Sequence, residues 1–337
     1  MQRFLALVAV FAAVLWIVNT SSFSSFAEGG PPRVIAHRGQ HQLYDRTGLT
    51  NDTCTAERIF PPEHALLENT LPSMEAAFRL GADVVELDIH LTPDGQFAVF
   101  HDWTLDCRTD GSGVTEKTPM AVLRGLDIGH GYTADGGATF PFRGSGIGQM
   151  PTLEEVLRRF PEGRFLINFK SRRREEGKAL LTLLNANPAY RRAVFGVYGG
   201  DEPTEAVLSE MADMRGYSRS SAMSCLLTYL GVGWSGYVPP SCRNRLVPVP
   251  QNYAFLLWGW PVRFTERLQA AGSDVILVGP FTASDPGTAG LDEAGTWAAI
   301  PRGFPGFIWT NRIEKASDLA RQTGYCRGRA EIGICRP

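Results

Sequence analysis

The stretch VVELDIHLTPDGQFAVFHD, residues 84–102, decides how the rest of the chain is read. It has the form of a strand, a tight turn and a second strand. Glu86, Asp88 and His90 are spaced two apart, so an extended backbone turns them to one face and Val85, Leu87 and Ile89 to the other. Asp94-Gly95 predicts a type I′ hairpin turn, because both central residues of that turn need positive φ. The turn returns His101 to the neighbourhood of the two carboxylates. Two acidic groups on a strand read by themselves first as a solvated edge, so the neighbouring segments carry the decision.

Upstream, Arg33-Val-Ile-Ala-His37 reads as a short apolar strand that stops at the polar cluster His37-Arg38-Gly39. Residues 40–67 show no period and hold Cys54, which predicts a long loop pinned by a disulfide. Asn69 or Thr70 then caps a helix with Pro72 in its first turn, Leu71, Met74 and Phe78 on one stripe, and Gly81 as its stop. Downstream, Trp103 to Met150 carries ten glycines and little periodicity. Leu126, Tyr132 and Phe142 recur within it, so it reads as a packed insertion over one end of the domain rather than a spacer. Thr152 and Glu155 form a capping box for a helix ending near Phe160. Arg164 to Lys170 follows as a strand with Asn168 and Lys170 on one face.

Short apolar runs at Ala193–Val197, Met214–Tyr217, Arg245–Val249, Val275–Val278 and Gly306–Trp309 alternate with helical patterns. With the strands at Arg33, Val84 and Arg164 they make eight, the number of a (β/α)8 TIM barrel. The expected architecture is therefore α/β, a barrel over residues 33–325 with an insertion at about 103–150, after the second strand. Trp234, Tyr253, Trp258 and Trp260 could line a hydrophobic mouth, but aromatics at this density read first as core.

A length of 337 residues and 44% hydrophobic content suit one such domain. A formal charge of -2 offers no basic stripe, which argues against a nucleic-acid partner. Arg3 followed by the apolar run Phe4–Val18 and by Ser25-Phe26-Ala27 makes residues 1–27 a secretory signal peptide or, uncleaved, an N-terminal membrane anchor. Either form puts the globular part outside the cytoplasm, periplasmic or secreted, with membrane association through this segment in the second case. Six cysteines without C-x-x-C spacing fit an oxidising compartment; sequential pairing is the simplest of fifteen connectivities.

His37-Arg38-Gly39, Glu68-Asn69-Thr70, Glu86-x-Asp88, Thr92-Pro-Asp-Gly95, His101-Asp102, Leu105 to Gly113 and Lys170 occur in an order that resembles the glycerophosphodiester phosphodiesterase family. The resemblance covers Val34 to Lys170 and returns weakly at Trp309-Thr310-Asn311. It implies a divalent cation, Ca2+ or Mg2+, and hydrolysis of a small-molecule glycerophosphodiester to glycerol 3-phosphate and an alcohol. Carried over by motif, Glu86 and Asp88 would hold the cation, His37 and His101 would share the acid and base roles, and Arg38 and Lys170 would contact the phosphate. Glu68 is either a further ligand or an ion-pair partner of Arg38. His90 belongs to no motif and reads as structural. Where the family places a glutamate as third metal ligand, this chain has Asn168, whose oxygen coordinates without charge. Two alternatives accompany this reading: a lysophospholipase D-like phosphodiesterase, and a catalytically silent phosphate-ligand-binding protein with a weakened metal site.

Overall fold

The computed structural model describes residues 1–26, 31–50, 53–282, 289–326 and 333–335. Its strands are β1 (Arg33–Ala36), β2 (Val84–Leu91), β3 (Phe97–Val99), β4 (Phe165–Phe169), β5 (Val194–Gly199), β6 (Arg215–Ser218), β7 (Leu246–Pro250), β8 (Asp274–Val278) and β9 (Phe307–Thr310). The helices are α1 (Gln2–Asn19), α2 (Leu71–Arg79), α3 (Met120–Leu123), α4 (Leu153–Arg159), α5 (Arg174–Ala186), α6 (Pro188–Ala193), α7 (Asp201–Glu210), α8 (Arg219–Val232), α9 (Val262–Ala270), α10 (Ala294–Ala298) and α11 (Ile313–Gln322).

Strand β3 returns antiparallel along β2, with Ile89 opposite Val99 and Leu91 opposite Phe97. The other eight strands are those expected, and they run parallel in the order β6-β5-β4-β2-β1-β9-β8-β7. Tyr217 of β6 and Leu246 and Val247 of β7 line one narrow crevice, so the two ends of the order meet and the sheet is a nearly closed barrel. Pro248 and Pro250 occupy one phase of β7 and lack an N–H. Strand β7 keeps a full register with β8, so the missing donors are those a ladder to β6 would need.

Alternation along the strands separates two cores. Ile35, Val84, Leu166, Leu246, Ile276 and Phe307 fill the barrel. Val85, Leu87, Ile89, Phe165 and Ile167 face outward against Met74 and Ala77 of α2, Leu153 and Val156 of α4, and Leu180 of α5. A third cluster joins the first loop to the insertion: Tyr44, Ile59 and Leu67 pack with Leu105, Met120, Tyr132 and Phe142. The Cys54–Cys107 disulfide crosses this cap; Cys225–Cys242 and Cys326–Cys335 complete a sequential pairing.

Two local expectations are corrected. The hairpin turn is not type I′, because only Gly95 has positive φ (75°) and the Gly95 N–H bonds to the Thr92 carbonyl. Pro93 holds φ negative at the first turn position, which leaves a type I turn closed by a left-handed glycine. The aromatics Trp234, Tyr253 and Trp258 are exposed rather than core, and Trp260 is half-buried.

Helix α1 has no buried residue, and its mean hydropathy is 1.8 over 18 residues. Beyond it the chain is tied down: the Ser21 hydroxyl donates to the Gly259 carbonyl (2.9 Å) and Phe26 packs on Phe304. The expected cleavage after Ala27 lies outside the described residues.

Glu176, in the first turn of α5, fastens that helix to the barrel. It is wholly buried and accepts from the Leu91 N–H (2.9 Å) and the Ser171 hydroxyl (2.5 Å). Burial pushes its carboxyl up from 4.5 to about 7. The folded chain thus holds this proton more tightly than the unfolded chain, a contribution complete below about pH 4.5 and lost as pH rises through about 7. Between pH 4.5 and 8, denaturant titrations of Glu176→Gln should lack a fall in stability on the order of 3 kcal/mol that the wild type shows. Parallel pH profiles for the two proteins would remove Glu176 from this role.

Candidate active site

The site gathers where the parallel strands end. His37 and Arg38 directly follow β1, Lys170 follows β4 and Asn311 follows β9, while Glu86 and Asp88 reach inward from β2. Both carboxylates are fully buried. Asp88 is the more heavily held. Asn69 donates to Oδ2 (2.9 Å), Asn168 donates to Oδ1 (2.8 Å), Arg38 Nε lies 3.2 Å from Oδ2, and Lys170 Nζ lies 3.6 Å from Oδ1. Burial alone would raise this carboxyl, but Lys170 and Arg38 overrule it and hold it well below the usual range.

Glu86 has less positive charge about it. Tyr198 donates to Oε1 (2.6 Å), the Arg38 backbone N–H donates to Oε2 (3.0 Å), and His37 Nε2 stands 3.8 Å from Oε2. Burial, then repulsion from Asp88, pushes the Glu86 carboxyl well above the usual range.

Arg38 and Asn69 are held in the left-handed region, with φ 56° and 60°. For residues with a Cβ this costs about 1–3 kcal/mol each. The turn at Arg38 aims its N–H at Glu86 while its guanidinium reaches Asp88 and Glu68. Its carbonyl accepts the Asn69 N–H (3.1 Å). Gly39 follows at φ 77°, where a Cβ would lie 2.5 Å from Ser73 Oγ. Helix α2 is capped by Thr70, not Asn69, which frees the Asn69 amide to grip both the side chain and the N–H of Asp88.

Each histidine has a partner that fixes its tautomer. Asn311 donates from Nδ2 to Asp292 (2.9 Å), so its oxygen faces His37 Nδ1 at 2.6 Å. His37 therefore carries its proton on Nδ1 and turns the Nε2 lone pair toward Glu86. His101 Nδ1 lies 2.6 Å from Asp102, leaving its Nε2 free. Desolvation first, then the charge of Arg38, lowers both pKa values well below 6.5. His90 is buried too, and burial lowers it to about 4.

Glu68 stands apart from the Glu86–Asp88 pair in role. Its two oxygens are taken by Arg38 (3.1 Å) and Arg108 (3.2 Å), which leaves a ligand role without support in the geometry. Arg108 is a residue that sequence reasoning passed over. It is buried, pairs with Asp102 (2.8 Å), and donates to Tyr132 (2.6 Å) and to Thr55 (2.6 Å), which adjoins the Cys54–Cys107 bridge. Tyr198 was passed over as well, because nothing in β5 marks it as polar. The signal for Arg108 lay in the Leu105–Gly113 motif.

Among the described residues no three His, Cys, Asp or Glu are arranged as a ready metal cluster. The chemistry of the pair nonetheless fits a hard cation: two adjacent buried carboxylates, oxygen donors only, with a phenol and a backbone N–H but little positive charge about Glu86. Asn168 presents Nδ2 to Asp88, and its oxygen lies where a Cβ on Gly199 would stand.

Residues 37–191 match a profile described as the glycerophosphoryl diester phosphodiesterase family. Over that stretch the chain is similar to this family. A glycerophosphodiester phosphodiesterase of Caldanaerobacter subterraneus subsp. tengcongensis is 36% identical over 103 residues, 31% of this chain and 39% of the relative. The chain thus spans less than half the length of the curated relatives it matches. Its fold is that of the phosphodiesterase domain of a Mycobacterium tuberculosis protein (TM-score 0.60, 17% identity, 85% and 98% of the two chains). It also matches an Oleispira antarctica phosphodiesterase solved with the product sn-glycerol-3-phosphate (TM-score 0.52, 19% identity, 86% and 97%).

Removing the Arg108 side chain would leave Glu68 and Asp102 short of a buried counter-charge. Arg108→Met should therefore lower unfolding stability by roughly 3–5 kcal/mol. Denaturant titration showing a loss under about 1 kcal/mol would mean that the pairs with Glu68 and Asp102 are not what holds the cap.

Proposed function

We propose that this chain hydrolyses glycerophosphodiesters to glycerol 3-phosphate and an alcohol. The observation that carries the reading is the pair of histidines, each oriented through Nδ1 by its own partner, flanking the Glu86–Asp88 carboxylates. Cleaving a phosphodiester needs a base for the nucleophile, an acid for the leaving oxygen and positive charge against the phosphoryl oxygens. His37 and His101 hold lone pairs at Nε2, and their lowered pKa values keep them neutral near pH 7, ready to accept a proton. An anionic phosphate between them raises the proton affinity of whichever lies nearer the leaving oxygen, which allows that ring to return a proton as the acid. Arg38 and Lys170 contact the phosphate. Glu86, Asp88 and Asn168, the last with its amide turned over, would hold Ca2+ or Mg2+, which when bound supplies further positive charge at the phosphoryl oxygens. The catalytic domain comprises residues 33–325 and works outside the cytoplasm, a placement favoured by three disulfides behind the apolar helix α1.

A lysophospholipase D-like activity is favoured by one separate observation, the exposed Tyr253, Phe255 and Phe281 just beyond β7 and β8. A silent phosphate-binding protein is opposed by the two oriented histidines, which phosphate binding alone does not need.

With glycerophosphocholine as substrate, His37→Ala and His101→Ala should each lower turnover by on the order of 10²–10⁴ while the circular dichroism spectrum stays native. Full turnover in either variant removes that histidine from the mechanism. Metal binding is tested at Asn168 by calorimetric titration with calcium and magnesium. Asn168→Glu should bind more tightly than the wild type, because it adds a charged ligand, and Asn168→Leu more weakly. Equal affinities in all three would exclude Asn168 as a ligand. A wild type that neither binds metal nor turns over, beside an active Asn168→Glu, would establish the silent binder instead.

A further inference from the structure

Scattered apolar residues on a surface need no explanation, but a linked run of exposed aromatics does. Phe255 is 72% exposed, Tyr253 49%, Leu256 47%, Phe281 42%, Trp234 40% and Trp258 38%. Four of the six fall within residues 253–258, and Phe281 and Trp234 are tied to neighbours of that stretch. Asn252 exchanges two hydrogen bonds with the backbone of Phe281, both 2.9 Å, and the Tyr253 and Phe281 rings meet at 6.4 Å. The Trp258 indole donates to the Leu230 carbonyl at the end of α8 (2.9 Å), and its own carbonyl accepts from Tyr229 (2.9 Å). Trp234 follows α8 and meets Phe11 of α1 edge-on at 6.4 Å. The backbone between is stitched to the foot of α1: Asn19 donates to the Trp234 carbonyl (2.8 Å) and Val262 N–H donates to Ser21 (3.1 Å). The belt is therefore fixed in place while its apolar faces remain uncovered.

One end of the belt is an 18-residue apolar helix with no buried residue. At 1.5 Å per residue it is about 27 Å long, close to the hydrocarbon core of a bilayer. The other end lies at the mouth. Residues 251–256 follow β7 and Phe281 follows β8, while His37, Lys170 and Asn311 follow β1, β4 and β9 of the same parallel barrel. Trp and Tyr collect where protein meets the headgroup layer of a membrane.

We infer that this belt lies on the surface of the bilayer that α1 enters, and that it delivers acyl-bearing glycerophosphodiesters to the mouth from the membrane. The substrate half rests on the phosphodiesterase reading above. In a lysophospholipid the glycerophosphate linkage enters the site between His37 and His101 while the acyl chain stays among Tyr253, Phe255 and Phe281. The headgroup alcohol leaves on the water side.

The test uses the full chain reconstituted in phosphatidylcholine vesicles whose acyl chains carry bromine near the headgroup. Phe255→Trp should add fluorescence that the bromines quench, whereas Tyr190→Trp, on α6 across the barrel, should add fluorescence that they do not. Equal quenching of the two overturns the belt. So does a dimer in detergent that Phe255→Asp dissociates, which would make this face a contact between copies. For delivery, Phe255→Asp with Phe281→Asp should lower turnover of vesicle-borne lysophosphatidylcholine by about tenfold. Turnover of soluble glycerophosphocholine should stay unchanged. Equal losses on both substrates, or none, overturn delivery. A wild type that hydrolyses neither sinks the phosphodiesterase reading and with it delivery, while the quenching experiment still decides where the belt lies.

Discussion

Two carboxylates buried two residues apart on the same strand face are the constraint to which the barrel mouth answers. Taking a charge out of water costs several kcal/mol unless partners replace the lost hydration. Around Asp88 the replacement is complete: two amides, a guanidinium and an ammonium converge from β1, from the turn before α2, and from the end of β4. Around Glu86 it is not, since a phenol and one backbone N–H supply dipoles but little net charge. The imbalance divides the pair into a fixed anion and a carboxyl that awaits a positive partner. The left-handed Arg38 and Asn69 belong to the same economy, because their backbone strain is what lets one arginine and one asparagine each serve two partners.

The cap over the mouth is part of this electrostatic arrangement rather than a cover laid on it. Arg108 reaches from the insertion to Asp102, which orients His101, and to Glu68, which pairs with Arg38. A displacement at Arg108 would reach both His101 and Arg38 through one intermediate each. Thr55 and Tyr132 hold Arg108 from the two halves of the cap, and the disulfide joins Cys54 and Cys107, each the neighbour of a residue in that contact. A glycine-rich segment without periodicity becomes rigid here because its fixed points are a covalent bond and a buried ion-pair network, neither of which needs regular secondary structure.

This difference in mechanism explains what could be read from the chain. The eight strands were legible, even the weak Met214–Tyr217 run, because parallel strands buried on both faces leave short continuous apolar segments between helical patterns. Glu86, Asp88 and the two histidines were legible as residue types at strand ends. Arg108, Tyr198 and the amide orientation of Asn168 were not, since each is defined by a partner far away in sequence. The hairpin was placed correctly and its turn type was not, because Pro93 outranks the Asp-Gly pair beside it. The exposed tryptophans were misread as core for a plainer reason: density of aromatics says nothing about which side of a helix or loop they occupy.

The family match ends at residue 191, yet the barrel continues through five more strands. In the matched part, charge and hydrogen-bond geometry restrict nearly every inward position at the mouth. Beyond it, among the site groups described above, the barrel supplies only supports: Tyr198 to Glu86, and Asn311 with Asp292 to His37. Positions that only need to close a barrel tolerate wide change in their loops. That is where the proline-bearing β7 leaves the ladder to β6 open, and where the aromatic belt follows β7 and β8. A barrel whose polar groups are fixed on one side of the mouth is free to vary the other side, and it is in that other side that the apolar helix α1 is rooted.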